Sequence, residues 1–201
     1  IVTTGLRYDT RDSQHQPYSG FQTGVLFDAP VWQTGNQPGM VATVFGNVAF
    51  RVPPLFHKGG DASEENPPTD TIALNAFVQG SAGELPYYAR PHLGGNDTLR
   101  GYIANRFTGD AAWYATAEYR LWVIPRGIAF TDTVRIERIG IAPFVDVGTV
   151  ANSLDKLPDA RVHASYGLGL RFSLERTAMF RADIGFSSEG VNFTVAFGLP
   201  F

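Results

Sequence analysis

Cysteine is absent from all 201 residues, which excludes disulfides and thiolate metal sites. Long apolar runs are absent too. Nothing approaches the roughly 18 consecutive apolar residues of a transmembrane helix. Charge is sparse, with Asp, Glu, Lys and Arg making up 17% of the chain and a formal net charge of −3. That balance gives no reason to expect a nucleic-acid partner. No stretch shows the 3.6-residue periodicity of an amphipathic helix. No signal peptide is visible in the sequence, and an exported chain would have lost one. Enzyme signatures are missing as well. There is no G-x-S-x-G elbow. His15, His57, His92 and His163 are scattered through turns and strand ends without metal-ligand spacing. The expectation is a protein that is not an enzyme and carries no catalytic residue, cofactor or metal.

What the chain has is aromatic and small residues: 15 Phe, 8 Tyr, 3 Trp and 22 Gly. Its dominant pattern is period two. Val191, Phe193, Val195, Phe197, Leu199 and Phe201 alternate with Asn192, Thr194, Ala196, Gly198 and Pro200. Tyr166, Leu168, Leu170, Phe172 and Leu174 alternate with Ser165, Gly167, Gly169, Arg171 and Ser173. Strict alternation gives a strand one apolar and one polar face. Similar runs predict strands near 1–9, 20–29, 40–51, 71–82, 111–123, 135–149, 162–174, 179–187 and 191–200. Turn-rich pieces separate them at 14–20, 34–39, 53–69, 153–160 and 187–190. A soluble β-sandwich also has alternating strands, but its strands run to about 5–6 residues. Most of these run to about 9–13, the length a tilted strand needs to cross the hydrocarbon layer. Trp113, Tyr114 and Trp122, near strand ends, fit a membrane girdle.

The charges take one side. Glu118, Asp146, Arg171, Arg181 and Asp183 all fall opposite the apolar row of their own strand. A basic residue facing lipid at mid-depth costs roughly 2–4 kcal/mol, so one-sided placement is expected of a barrel with a charged lumen.

Leu93-Gly94-Gly95-Asn96-Asp97-Thr98-Leu99-Arg100-Gly101-Tyr102 lies between two predicted strands. It resembles the L-G-G-x-x-x-[VL]-R-G-[FY] loop of the BamA/TamA-type outer-membrane assembly barrels, the bacterial surface antigen barrels. Ala117-Glu118-Tyr119 looks like that family's inward glutamate. Phe144-Val145-Asp146-Val147-Gly148 matches its F-x-D-x-G pattern. Asp9-Thr10-Arg11-Asp12, with Pro17 and Gly20, resembles its D-x-R-D…P-x-x-G periplasmic turn. The segment ending in Phe197, Leu199 and Phe201 resembles its C-terminal assembly signal. The matches span the chain in order. The resemblance implies a lumen loop carrying Leu99, Arg100, Gly101 and Tyr102, with Arg100 meeting Glu118 or Asp146 inside the barrel. Arg171, Arg181 and Asp183 are the other expected lumen charges.

The expected fold is therefore all-β: an antiparallel transmembrane β-barrel with about eight to nine strands in this chain. Residues 1–201 form that barrel or the C-terminal part of one, and the given residues contain no POTRA-like module. The resemblance implies a bacterial outer membrane, contact with its lipid, and client outer-membrane proteins that are inserted or translocated. The alternative is a small passive barrel, a pore or a structural protein. Parity carries a further expectation. Nine strands would put the two chain ends on opposite sides, whereas single-chain bacterial barrels have even strand numbers. Residues 1–9 are then a terminal stub, or upstream strands or a second copy complete a larger ring.

Overall fold

The computed structural model describes residues 1–30, 38–61, 67–129, 135–174 and 178–201. Period-two sequence has become strand throughout. The strands are β1 (Val2–Asp9), β2 (Gly20–Ala29), β3 (Met40–Val52), β4 (Asp70–Ala82), β5 (His92–Leu93), β6 (Phe107–Thr108), β7 (Ala111–Ile124), β8 (Ile128–Ala129), β9 (Arg135–Ile136), β10 (Arg138–Ala151), β11 (His163–Leu174), β12 (Ala178–Ser187) and β13 (Gly190–Phe197). Nine of them form one sheet in the order β1-β2-β3-β4-β7-β10-β11-β12-β13. Every pairing in it is antiparallel, so the sheet is an up-and-down meander. Two-stranded pairs β5-β6 and β8-β9 lie in the connections. The expected turn pieces 34–39 and 53–69 fall partly outside the described residues.

Side-chain placement is the reverse of a water-soluble protein. Val191, Phe193, Val195 and Phe197 of β13 are exposed, as are Tyr166, Leu168 and Leu170 of β11. Exposed Val145, Val78, Leu74, Val44 and Phe27 continue the row across β10, β4, β3 and β2. On the other face, Glu118, Asp146, Arg171, Arg181 and Asp183 are buried. Charged residues are almost never fully buried unless paired, and exposed apolar patches of this extent mark an interaction surface.

Three local features differ from the sequence reading. The expected strand 135–149 is two pieces, β9 and then β10 after a break at Glu137, with β10 running on to Ala151. Leu121, which alternation from Trp113 puts on the outer row, is buried next to Trp122, and Trp122 and Tyr114 are themselves buried, not on an outer girdle. A register shift at Ile139/Gly140, opposite Trp122 and Ile124, breaks the alternation there, as a bulge does by adding a residue to one strand. Last, the apolar row does not run to Phe201. Strand β13 stops at Phe197. Gly198 has φ 77°, and its N–H donates to the Met179 carbonyl at 2.7 Å. That left-handed step suits glycine and turns the chain inward. Leu199 lines an interior cavity, and the Phe201 ring lies 4.9 Å from the Arg120 guanidinium.

Among the described residues, no ladder joins β13 to β1 or to β2. The sheet therefore has two edges. All eight residues of β1 are exposed.

Candidate functional site

The connection from β4 to β7, residues 83–110, folds against the charged face of the sheet. Its stem is the β5-β6 pair. Leu93, Leu99, Tyr102, Ala112 and Tyr114 form its buried apolar cluster, with Phe77, Phe107 and Val150 packed alongside. Leu99 adopts φ 43°, a left-handed conformation that costs a bulky residue about 1–3 kcal/mol. Its side chain is fully buried, which returns a similar amount, about 1.5–3 kcal/mol. The turn closes where the Tyr102 N–H donates to the Leu99 carbonyl at 2.9 Å. This geometry aims Arg100 at the wall.

Arg100 is fully buried. Its Nε and Nη2 fork onto Asp146 Oδ2 and Oδ1 at 3.1 and 2.9 Å, and its backbone N–H adds a bond to Oδ2 at 2.9 Å. Nη1 donates to Glu118 Oε2 at 2.6 Å, and Nη2 also reaches Thr116 Oγ1 at 3.2 Å. The guanidinium carbon lies 3.5 Å from the centroid of the Phe144 ring. Asp146 also accepts from Tyr114 Oη at 3.0 Å and Thr116 Oγ1 at 2.6 Å. A planar guanidinium is the side chain that can do this, because its donors form a rigid fork matched to a carboxylate.

The network extends through the expected lumen charges. Glu118 also accepts from Arg120 Nε and Arg171 Nη2, each at 2.9 Å. Asp183 accepts from Arg171 Nη1 at 2.5 Å and Arg181 Nη1 at 3.2 Å. Arg181 then returns to the loop, donating to the Asn96 carbonyl at 2.8 Å and pairing with Asp97. Thus Arg100, Glu118, Asp146, Arg171, Arg181 and Asp183 belong to one connected cluster. Phe197 does not, since it faces outward.

A second grip holds the loop by its main chain. Asn192 Nδ2 donates to the carbonyls of Arg100 and Tyr102, both at 3.0 Å. Ser187 Oγ donates to the carbonyl of Gly101 at 2.9 Å. Gly101 sits so close to the wall that a Cβ would lie 2.7 Å from the Phe186 oxygen. The motif's glycine is therefore set by close approach to β12.

At the opposite end of the charged face, residues 16–18 of the turn 10–19 fold inward and are buried. Asp12 accepts from the N–H groups of Tyr18 and Ser19 at 2.9 and 3.2 Å and from Arg51 Nη2 at 2.9 Å. Burial alone would raise the Asp12 carboxyl; the Tyr18 N–H, the Arg51 guanidinium and Ser19 together hold it below its ordinary value. Gln16 and Tyr18 are buried, and Arg138 Nη1 donates to Tyr18 Oη at 2.7 Å.

Sequence reasoning missed the grips of Asp97 and Asn192 and the insertion of residues 16–18. Asn192 had a signal, since it stands on the polar side of an alternating strand. Asp97 and Tyr18 had none, because period and motif do not say which way an irregular segment folds.

The structure is an all-β, nine-stranded antiparallel meander with one apolar face and one charged face, the latter gripping the loop of residues 83–110. The chain belongs to the Omp85 superfamily, whose domain model matches residues 1–199. Members of that superfamily are outer-membrane proteins. No curated protein matches the chain.

Proposed function

We propose that this chain is a bacterial outer-membrane β-barrel that assists insertion or translocation of other polypeptides. The outer apolar rows face lipid, and the sheet's free edge receives client strands. One observation carries this reading: the sheet, locked on its charged face by the Arg100 cluster, ends at β13, in the segment that resembles the family's C-terminal assembly signal. An unpaired edge presents backbone donors and acceptors that an incoming strand can satisfy. Membership of the Omp85 superfamily supports the same direction.

The chain has no cysteine, so single introduced thiols report position cleanly. The test reconstitutes the protein in lipid vesicles and adds a urea-unfolded client barrel carrying one cysteine in its terminal strand. Client folding should be faster than in protein-free vesicles. Val191→Cys in β13 should cross-link to the client, and Ala117→Cys in the central strand β7 should not. Client folding at the protein-free rate would overturn the proposal.

A further inference from the structure

Five buried side-chain polar atoms lack a hydrogen-bond partner among the described residues: Thr71 Oγ1, Arg120 Nη1, Trp122 Nε1, Arg171 Nε and Arg181 Nε. Four of their residues, Thr71, Arg120, Trp122 and Arg171, line a single small cavity. The cavity lies between the strand ends and the inserted Pro17 and Tyr18. Each of the four is more than nine-tenths buried. Buried polar groups are hydrogen-bonded in more than about 90% of cases, so four unpartnered groups at one cavity call for an occupant.

The donor set defines its chemistry. Arg120 Nη1, Trp122 Nε1 and Arg171 Nε can only donate, and the Thr71 hydroxyl can donate. The cavity has room for about one water-sized body. A water oxygen has two lone pairs and would bring two protons of its own. A monatomic anion accepts from every side and brings none.

Charge points the same way. Glu118 is shared by three guanidinium groups, those of Arg100, Arg120 and Arg171. Asp183 is shared by Arg171 and Arg181. Asp146 is taken by Arg100. Within this cluster Arg100, Arg120, Arg171 and Arg181 meet Glu118, Asp146 and Asp183, and Arg120 Nη2 also donates to the Phe201 carbonyl at 3.3 Å. The nearby Asp70 is held by His57 Nε2 and by the backbone N–H groups of Leu55 and Trp122. Asp97, the acid paired with Arg181 on its other side, is 70% exposed at the rim.

We propose that this cavity binds one small monovalent anion of chloride size, held by Arg120, Arg171, Trp122 and Thr71 and seated against the turn of residues 10–19. The anion supplies a further negative partner to Arg120, which shares Glu118 with Arg100 and Arg171. It also joins the turn to the wall.

The test needs no knowledge of clients. The folded protein in detergent is melted in sodium gluconate with increasing sodium chloride at constant ionic strength. Chloride should raise the melting temperature saturably, by about 3 °C or more, as a ligand of the native state does. Trp122→Phe keeps the ring and removes one donor, and it should shift the chloride midpoint about tenfold upward. Crystals of the unaltered protein grown in sodium bromide should show an anomalous peak within hydrogen-bonding distance of Trp122 Nε1. Equal melting in chloride and gluconate, an unshifted midpoint in Trp122→Phe, or an ordered water in place of the anomalous peak would each overturn the proposal.

Discussion

Arg100 donates to Asp146 from three nitrogens, one on its main chain and two on its guanidinium. The residues are 46 positions apart, so this contact ties the β4–β7 loop to β10. Removing one partner of a buried pair typically costs about 3–5 kcal/mol, because the other charge is left uncompensated. Arg100→Ala should therefore lower the melting temperature strongly and expose the loop to protease. Arg100→Lys should rescue little, since an ammonium cannot fork across two carboxylate oxygens. Thermal unfolding with limited proteolysis checks both. A lysine variant as stable as the parent would show that charge alone is enough.

Val195 and Thr194 are neighbours on opposite faces of β13. Val195→Arg puts a cation on the apolar row and should cost roughly 2–4 kcal/mol if that row meets lipid at mid-depth. Thr194→Arg places the same group on the polar face and should cost far less. Folding yield into vesicles, read from the heat-shifted band on gels, compares them. Equal yields would argue against a lipid-facing row.

Asp12 makes the turn at residues 10–19 sensitive to acid. Its carboxyl is held below its ordinary value, so the folded state favours the charged form. The resulting stability is fully present above the ordinary carboxylate range of about 4. It is lost as pH falls through the lower folded value. Asp12→Asn should cost about 1–2 kcal/mol at pH 7, and that difference should shrink below pH ~4. Melting curves of both proteins from pH 7 downward test it; a constant gap would exclude the carboxylate as the cause.

Gly101 touches the wall where any side chain would collide with the Phe186 oxygen and the Ser165 Cβ, each at 2.7 Å. Backbone cannot yield as a flexible side chain can. Gly101→Ala should displace the loop and weaken the bonds of Ser187 and Asn192 to its carbonyls. The expected cost is about 1–3 kcal/mol. Hydrogen exchange of residues 93–108 should rise while the β11 and β12 amides stay protected.

The nine long strands were legible because period two is local. A strand with one apolar and one charged face announces itself residue by residue, and Val191–Phe197 and Tyr166–Phe172 do so without help from the rest of the chain. Alternation also put Glu118, Asp146, Arg171, Arg181 and Asp183 on one side, since a charge left among the apolar residues would be costly. Pairing was another matter. Which acid meets Arg100 depends on sheet register, on a left-handed Leu99 and on three carbonyls held by Ser187 and Asn192. Each is a contact between residues distant in sequence. The inward turn after Gly198, the buried Leu121 at the bulge and the insertion of Tyr18 depend on packing too. The sequence determined which face most strand residues would take. Only the tertiary structure decided where the irregular segments go, because an irregular segment has no period and takes its course from the wall it packs against.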